Sequence, residues 1–354
     1  MVVVPSGLDD CDGGVSTVAE CGGVDLPGPW RRWRAEEDRW TPGEIVDLCG
    51  RTAVVTGASR GIGAAAAEHL ARHGARVILL CPSAAQGRAA AETVRRRVLS
   101  ARVDSIACDL ADLEQVREAA EHVVGLVAGR LDVLINNAGV AALALTRSSS
   151  GHEMHFAVNH LGHFALTGHL LPALLNAFQP RVVNVSSVLH RLGRCRPDRL
   201  HPSHRYHRWS AYFDSKLANL LFTQGLATWA HTRRLPLRAI AAHPGLVNTT
   251  LGSSALRADG RNVEARLLEK IQARWHSPAQ AAWPLVRAAT DPRAASGEFF
   301  GPGGRWEWSG VPVRVRAARR ARDPGAAKQL WRLSQQLTGH PFPPPGRSSP
   351  QGER

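Results

Sequence analysis

"TAVVTGASRGIGAAAAEHLARHG", residues 52–74, is the stretch on which the fold turns. A short apolar run with β-branched valines breaks at Gly57, Gly61 and Gly63, in the pattern GxxxGxG, and passes into an alanine-rich helix. Glycine is needed where a chain leaving a strand turns tightly and brings its backbone against a pyrophosphate. The phosphate charge then rests on the N-terminus of the next helix. A tight turn without a ligand would also favour glycine, but this triplet opens the first strand–helix unit, where a dinucleotide site belongs.

Outward from that turn, apolar runs at 76–81, 103–108, 131–136, 181–187 and 238–245 alternate with helical segments. These segments are 62–73, 84–98, 112–128, 152–178, 210–231 and 279–289. Strands that are apolar throughout, each followed by a helix, form a parallel sheet covered on both faces. The expected fold is α/β: a single Rossmann-type doubly wound parallel sheet of about seven strands. Residues 1–47 read as a partly disordered extension, 48–340 as the Rossmann domain, and 341–354 as a disordered proline-rich tail.

The chain has 354 residues, 44% of them hydrophobic, enough to bury a sizeable core. It has no apolar run of about 18 residues and no basic start leading into an apolar stretch, so neither a transmembrane anchor nor a secretory signal is expected. Six cysteines without CxxC or metal-ligand spacing suit a reducing, cytoplasmic setting. A net charge of +14 favours anionic partners. The densest basic run, "RVRAARRAR" (314–322), has no interleaved aromatics and no nucleic-acid signature around it, so a nucleic-acid partner is not expected. His201, His204 and His207 in "HPSHRYH", with His190 earlier, lack the geometry of a metal site because Pro202 interrupts any helix; a polar loop is the expectation.

The nucleotide can be read further. An NAD-selective sheet ends its second strand in an acid that binds the ribose 2′-hydroxyl, whereas this strand ends in Cys81 and Pro82. Arg60, inside the glycine turn, offers a guanidinium to a 2′-phosphate. NADP(H) is therefore preferred, with NAD(H) as the alternative. Asp109, at the end of the third strand, suits the adenine amino group or a backbone amide, or is simply a turn residue.

Farther along, "SAYFDSKLANLL" (210–221) places Tyr212 one helical turn before Lys216. These are one of two tyrosines and one of three lysines in a chain whose other 41 basic residues are arginine. With "NNAG" (136–139) and "HPGLVNT" (243–249) in order, the chain resembles the short-chain dehydrogenase/reductase family over roughly residues 48–340. "EMHFAVNHLGHFALT" (153–167), "RVVNVSSVLHRLGR" (181–194) and "LANLLFTQGLA" (217–227) resemble its retinol-dehydrogenase-like branch, in soluble actinobacterial form.

The resemblance implies an oxidoreductase that interconverts an apolar alcohol and its aldehyde or ketone. Tyr212 would move the proton, its pKa lowered by Lys216 and by an oxidised nicotinamide. A compact ammonium fits between ribose and phenol where a planar guanidinium would not. Ser187 would hydrogen-bond the substrate oxygen; Ser186 is the neighbouring candidate, but the 25-residue spacing to Tyr212 favours Ser187. Asn159 matches the asparagine that holds a relay water, a structural asparagine being the alternative. The cofactor would lie against Thr56, Gly57, Ser59, Arg60, Gly61, Ile62, Gly63, Asp109, Leu110, Asn136, Ala138, Gly139, Tyr212, Lys216, Pro244, Gly245, Val247 and Thr249. Pairing into a homo-oligomer through 152–178 and 210–231, a substrate lid over 251–277, and His160 and His163 as surface or interface groups complete the expectation. A catalytically idle NADP-binding scaffold is the competing reading, and it would require a broken tetrad.

Overall fold

Strands β1 (Thr52–Thr56), β2 (Arg76–Cys81), β3 (Arg102–Ala107), β4 (Val133–Asn136), β5 (Arg181–Val185), β6 (Arg238–Ala242), β7 (Phe299–Pro302) and β8 (Pro312–Arg314) join in one sheet. Their order is β3-β2-β1-β4-β5-β6-β7-β8. Every pair is parallel except β7 with β8, which is antiparallel. The computed structural model describes residues 38–195, 206–247, 251–272, 275–340 and 342. Thr249, His201, His204 and the sequence expectations for 1–36 and for the rest of the tail lie outside the described residues.

The strand order reverses between β1 and β4, and a ligand crevice belongs at such a switch point, beyond the carboxyl ends of the strands. Helices α1 (Gly61–Arg72), α2 (Ala84–Arg97) and α3 (Leu113–Leu126) follow the first three strands. Sequence expectation and structure differ in the segment 152–178. It is not one helix: α4 (Met154–Phe156) passes through a π-turn, Ala157–Leu161, into α5 (Gly162–Leu175). The long α6 (Arg208–Thr232) precedes β6. Beyond β6 come α7 (Leu251–Ala258) and α8 (Asn262–Gln272) in the lid region, then α9 (Pro278–Ala281) and α10 (Trp283–Thr290), which the sequence pattern had merged.

Alternate strand residues point to opposite faces, so the core divides in two. Val55, Val77, Leu79, Ile135 and Ile240 meet small side chains such as Ala66, Ala67 and Ala71 on α1, and Leu285 on α10. Val54, Ile78, Leu80 and Leu134 meet Val116, Leu166, Leu170 and Phe222 on α3, α5 and α6. The final helix, α11 (Pro324–Thr338), lies across α5 and α6. Its Trp331 packs against Phe164 (ring centroids 5.3 Å apart), Phe222 (6.0 Å) and Phe342 (4.5 Å). Helix α11 thus covers part of the surface expected to meet a second copy of the chain, and leaves Pro172, Phe178, Thr228 and His231 exposed.

Residues 38–47, assigned from sequence to the extension, are packed into the fold. Trp40 is fully buried. Asp38 accepts from the buried Arg287 guanidinium at 2.5 Å and pairs with Arg314 on β8, while Arg287 also reaches Asp291 at 3.2 Å. Arg314 also pairs with Glu298 at 2.6 Å and Asp291 with Arg293 at 2.9 Å, so three arginines meet three carboxylates and no buried charge lacks a partner, which is the condition for tolerating ions in a core.

Candidate active site

The glycine turn is built by close approach. Gly57 has φ +63°, and a Cβ there would sit 2.7 Å from Ala138 Cα. On Gly63 a Cβ would lie 2.5 Å from the Gly57 carbonyl oxygen and would run into Asn137. Thr56 staples this turn to the loop after β4, its Oγ1 accepting from the Asn137 and Ala138 amides at 2.9 Å each. His163 Nε2 reaches the same hydroxyl at 2.8 Å. The Asn137 side chain, which the sequence reading passed over, donates to Thr56 O at 2.8 Å. Asn136, read as a cofactor contact, spends its amide inside the fold, donating to Asn184 Oδ1 (2.8 Å) and Thr167 Oγ1 (3.0 Å). Arg60 stands exposed at the helix entrance with Ser59 beside it, and Ile62 packs against the α1-side core. Asp109 is exposed and caps its own turn by accepting from Ala111 N at 2.9 Å, while Leu110 is buried against Gly162.

Around the crevice, four expected residues converge. Asn159 lies in the π-turn, a rare geometry frequent at functional sites. Its Oδ1 accepts from Val140 N at 2.7 Å, and its Nδ2 donates to Ser215 Oγ at 2.9 Å. Lys216 Nζ donates to Val185 O at 3.2 Å and sits 5.9 Å from the centre of the Tyr212 ring. Gly139 lies between these two groups: a Cβ there would be 3.2 Å from both Asn159 Oδ1 and Lys216 Nζ. The Ser187 side chain faces the Tyr212 phenol and eases its ionisation, while its Oγ accepts from Leu189 N at 3.2 Å. Ser186, its rival in the sequence, donates to Lys216 O at 2.8 Å and is occupied by the helix backbone. Pro244 and Gly245 are buried at the end of β6, and Val247 bridges to His276.

In the chain alone, burial raises the Tyr212 pKa, because the phenolate loses hydration, and Ser187 only partly opposes this; the expected lowering involves the oxidised nicotinamide as well as Lys216. Burial also pulls the Lys216 ammonium down to about 8. His160 and His163, expected at the surface, are buried with pKa values lowered to about 3 and about 4, so both are neutral. His160 Nε2 meets Ser334 Oγ of α11 at 2.7 Å.

The sequence reading also missed a buried cluster beside Tyr212. Glu153 Oε1 lies 2.6 Å from His155 Nδ1 and accepts from Tyr206 OH at 2.8 Å. His155 Nε2 accepts from Leu143 N at 3.2 Å, and its ring meets that of Tyr212 edge-on at 6.4 Å. These contacts fasten the loop after β4 to the start of α6. A groove of about 580 Å3 runs behind the turn between α1 and α2, past Arg60 and Arg97, but none of the four converging residues lines it. Among the described residues no cluster of His, Cys, Asp or Glu has the makings of a metal site.

A nucleotide-shaped turn at the switch point, with a serine, tyrosine, lysine and asparagine gathered over it, defines a dehydrogenase of the Rossmann type. The chain belongs to the short-chain dehydrogenase family, whose model matches residues 51–259, and within it is a retinol-dehydrogenase-like member. It is 35% identical to retinol dehydrogenase 12 of Mus musculus over 296 residues, covering 83% of this chain and 88% of that protein. It is 36% identical to retinol dehydrogenase 13 of Homo sapiens, covering 82% and 85%. Among solved structures, an uncharacterised protein from Mycobacterium paratuberculosis superposes with a TM-score of 0.71 at 39% identity, covering 86% of this chain and 99% of that one. A short chain dehydrogenase from Shigella flexneri, solved in complex with NADP, gives 0.54 at 28% identity, covering 72% and 97%.

Proposed function

We propose that the protein interconverts an apolar alcohol and its aldehyde or ketone, preferring NADP(H), with Tyr212 as the acid–base group. The observation that carries this reading is that Asn159 and Lys216 meet at Gly139, in the loop stapled to the glycine turn, with Tyr212 beside Lys216 and Ser187 beside Tyr212. An idle scaffold would have no reason to keep all four buried polar groups so arranged. The residues fit a dinucleotide: the turn packs this tightly against the loop after β4 only because Gly57 and Gly63 lack side chains, and Arg60 stands free of burial where a 2′-phosphate would meet it. When bound, the nicotinamide supplies or takes up the hydride and, in its oxidised form, places a positive charge beside the phenol.

The chain's own residues do the rest. Ser187 orients the substrate oxygen and shares the charge that develops on it. Tyr212 gives its proton to that oxygen or takes it back, and Lys216 replenishes the proton by way of its ammonium. Asn159, held by Val140 and Ser215, fixes the loop on which Gly139 lies. Trp209 stands 6.3 Å from the Tyr212 ring and packs with Ala142, Leu256 and Ala265, which supports an apolar substrate under the α7–α8 lid. The described cysteines are free thiols, and no described helix is long and apolar enough to cross a membrane, in keeping with a reducing cytoplasmic setting. Self-association into a homo-oligomer would use what α11 leaves exposed of 152–178 and 210–231.

Titration of the protein with NADPH and with NADH, read by energy transfer from tryptophan, tests the cofactor choice. Binding of neither ligand overturns the oxidoreductase reading. Tyr212→Phe should reduce carbonyl turnover by roughly 10²–10⁴ with little change in NADPH affinity.

A further inference from the structure

The hairpin joining β7 to β8 carries two consecutive non-glycine residues in the left-handed region: Trp306 at φ 60° and Glu307 at φ 59°. Neither is a residue type that tolerates this region easily, and such strain persists only where the surroundings hold it in place. The surroundings here are two loops of the active site. Glu307 Oε2 accepts from His243 Nε2 at 3.1 Å, and His243 is the residue just before Pro244 and Gly245. Glu307 Oε1 accepts from Arg191 Nη2 at 2.6 Å, on the short 3-10 turn that begins directly after Ser187. His243 Nδ1 accepts from Gly245 N at 3.2 Å, which puts the ring proton on Nε2, facing the carboxylate.

The backbone of the same hairpin reinforces the contact. Trp308 O accepts from Leu246 N at 3.0 Å. Gly245, at φ +75°, passes so near that a Cβ would lie 2.5 Å from Trp308 O. One short hairpin therefore holds the loop after β6 and the turn after β5, and a single carboxylate touches both.

We propose that Glu307 is a positioning residue, clamping the Pro244–Val247 loop to the turn that carries Ser187, so that the nicotinamide side of the site stays in register with the substrate side. This rests on the cofactor reading above. A carboxylate that merely filled space would not need the strained pair that aims it, nor partners on two separate site loops.

The test uses the full chain and two ligands, NADPH and 2′-phospho-ADP-ribose, the same molecule without its nicotinamide, with binding measured by calorimetry. Glu307→Ala should weaken NADPH about tenfold and the fragment about twofold at most, because only the nicotinamide half depends on the clamp. Glu307→Gln, which keeps a single acceptor oxygen, should weaken NADPH about threefold and serves in place of the alanine variant if that fails to fold. Trp306→Gly relaxes the strain with the carboxylate retained; it should bind both ligands as the wild type does and melt roughly 2 °C higher. Equal losses for both ligands, or no loss for NADPH, overturn the clamp and leave the cofactor reading standing. A wild-type chain that binds neither ligand overturns both.

Discussion

The two ends of the crevice are made by opposite means. At the nucleotide end the structure depends on what is missing: Gly57 and Gly63 let three backbone segments pass where any side chain would collide. At the catalytic end it depends on what is present. Val185 O alone accepts from Lys216 Nζ and Asn219 Nδ2, while Ser186, Asn159 and Ser215 tie α6 to β5 and to the π-turn. The first end obeys a local steric rule. The second is a network of buried polar groups, whose failure costs whole hydrogen bonds.

That contrast can be broken, most forcefully at the glycines. Gly63→Val should cost about 3 kcal/mol or more in urea unfolding, since the colliding atoms include backbone. Gly61→Ala, with open space around it and only a φ of +63° to bear, should cost about 1 kcal/mol. Equal costs would mean that conformation, not contact, governs the turn. At the other end, Ser187→Ala should lower kcat about 100-fold with little effect on stability. Ser186→Ala should do the reverse, costing roughly 1–2 kcal/mol of stability while turnover changes only a few-fold.

Lys216→Met sharpens the comparison further, because it should raise stability by roughly 2 kcal/mol at pH 7 while abolishing turnover. Burial holds the folded-state ammonium near 8 against 10.5 in the unfolded chain, so the charged form is disfavoured by folding. The unfolded chain keeps its proton between those values and the folded chain does not. Wild-type stability therefore rises with pH across that window, and the variant's advantage shrinks. The opposite limb, in acid, has the same origin. His160, His163 and His190 have folded values of about 3, about 4 and about 4, against 6.5 unfolded. Below pH 6.5 the unfolded chain takes up protons that the folded chain refuses, so stability falls as pH drops toward 4, by about 1.4 kcal/mol per histidine per pH unit at most. Urea midpoints measured from pH 4 to 8 would show it.

The same division decides what the sequence could say. The glycine turn and the first six strands were legible, because close approach and burial on both faces leave marks within a few residues. Strands β7 and β8 were not: "FFGP" and "PVR" are too short, and too rich in glycine or proline, to show a period. The proposed catalytic residues could be named from their motif, but the split of 152–178 by a π-turn has no residue signature. His160 and His163 read as polar surface groups because nothing near them announces that Ser334, far along the chain, will close over one and Thr56 will bind the other. Residues 38–47 read as extension for the same reason, the Arg287 partner of Asp38 lying 249 residues away.

Helix α11 carries a consequence for how the molecule behaves in a crowded or a sparse solution. Trp331 sits over Gly225, where a Cβ would come within 2.9 Å of its ring, so the cover and the covered face belong to one chain. The area that Trp331 seals has no association constant for mass action to work on, so its burial stays level on dilution, where a cover borrowed from a neighbour would leave with that neighbour.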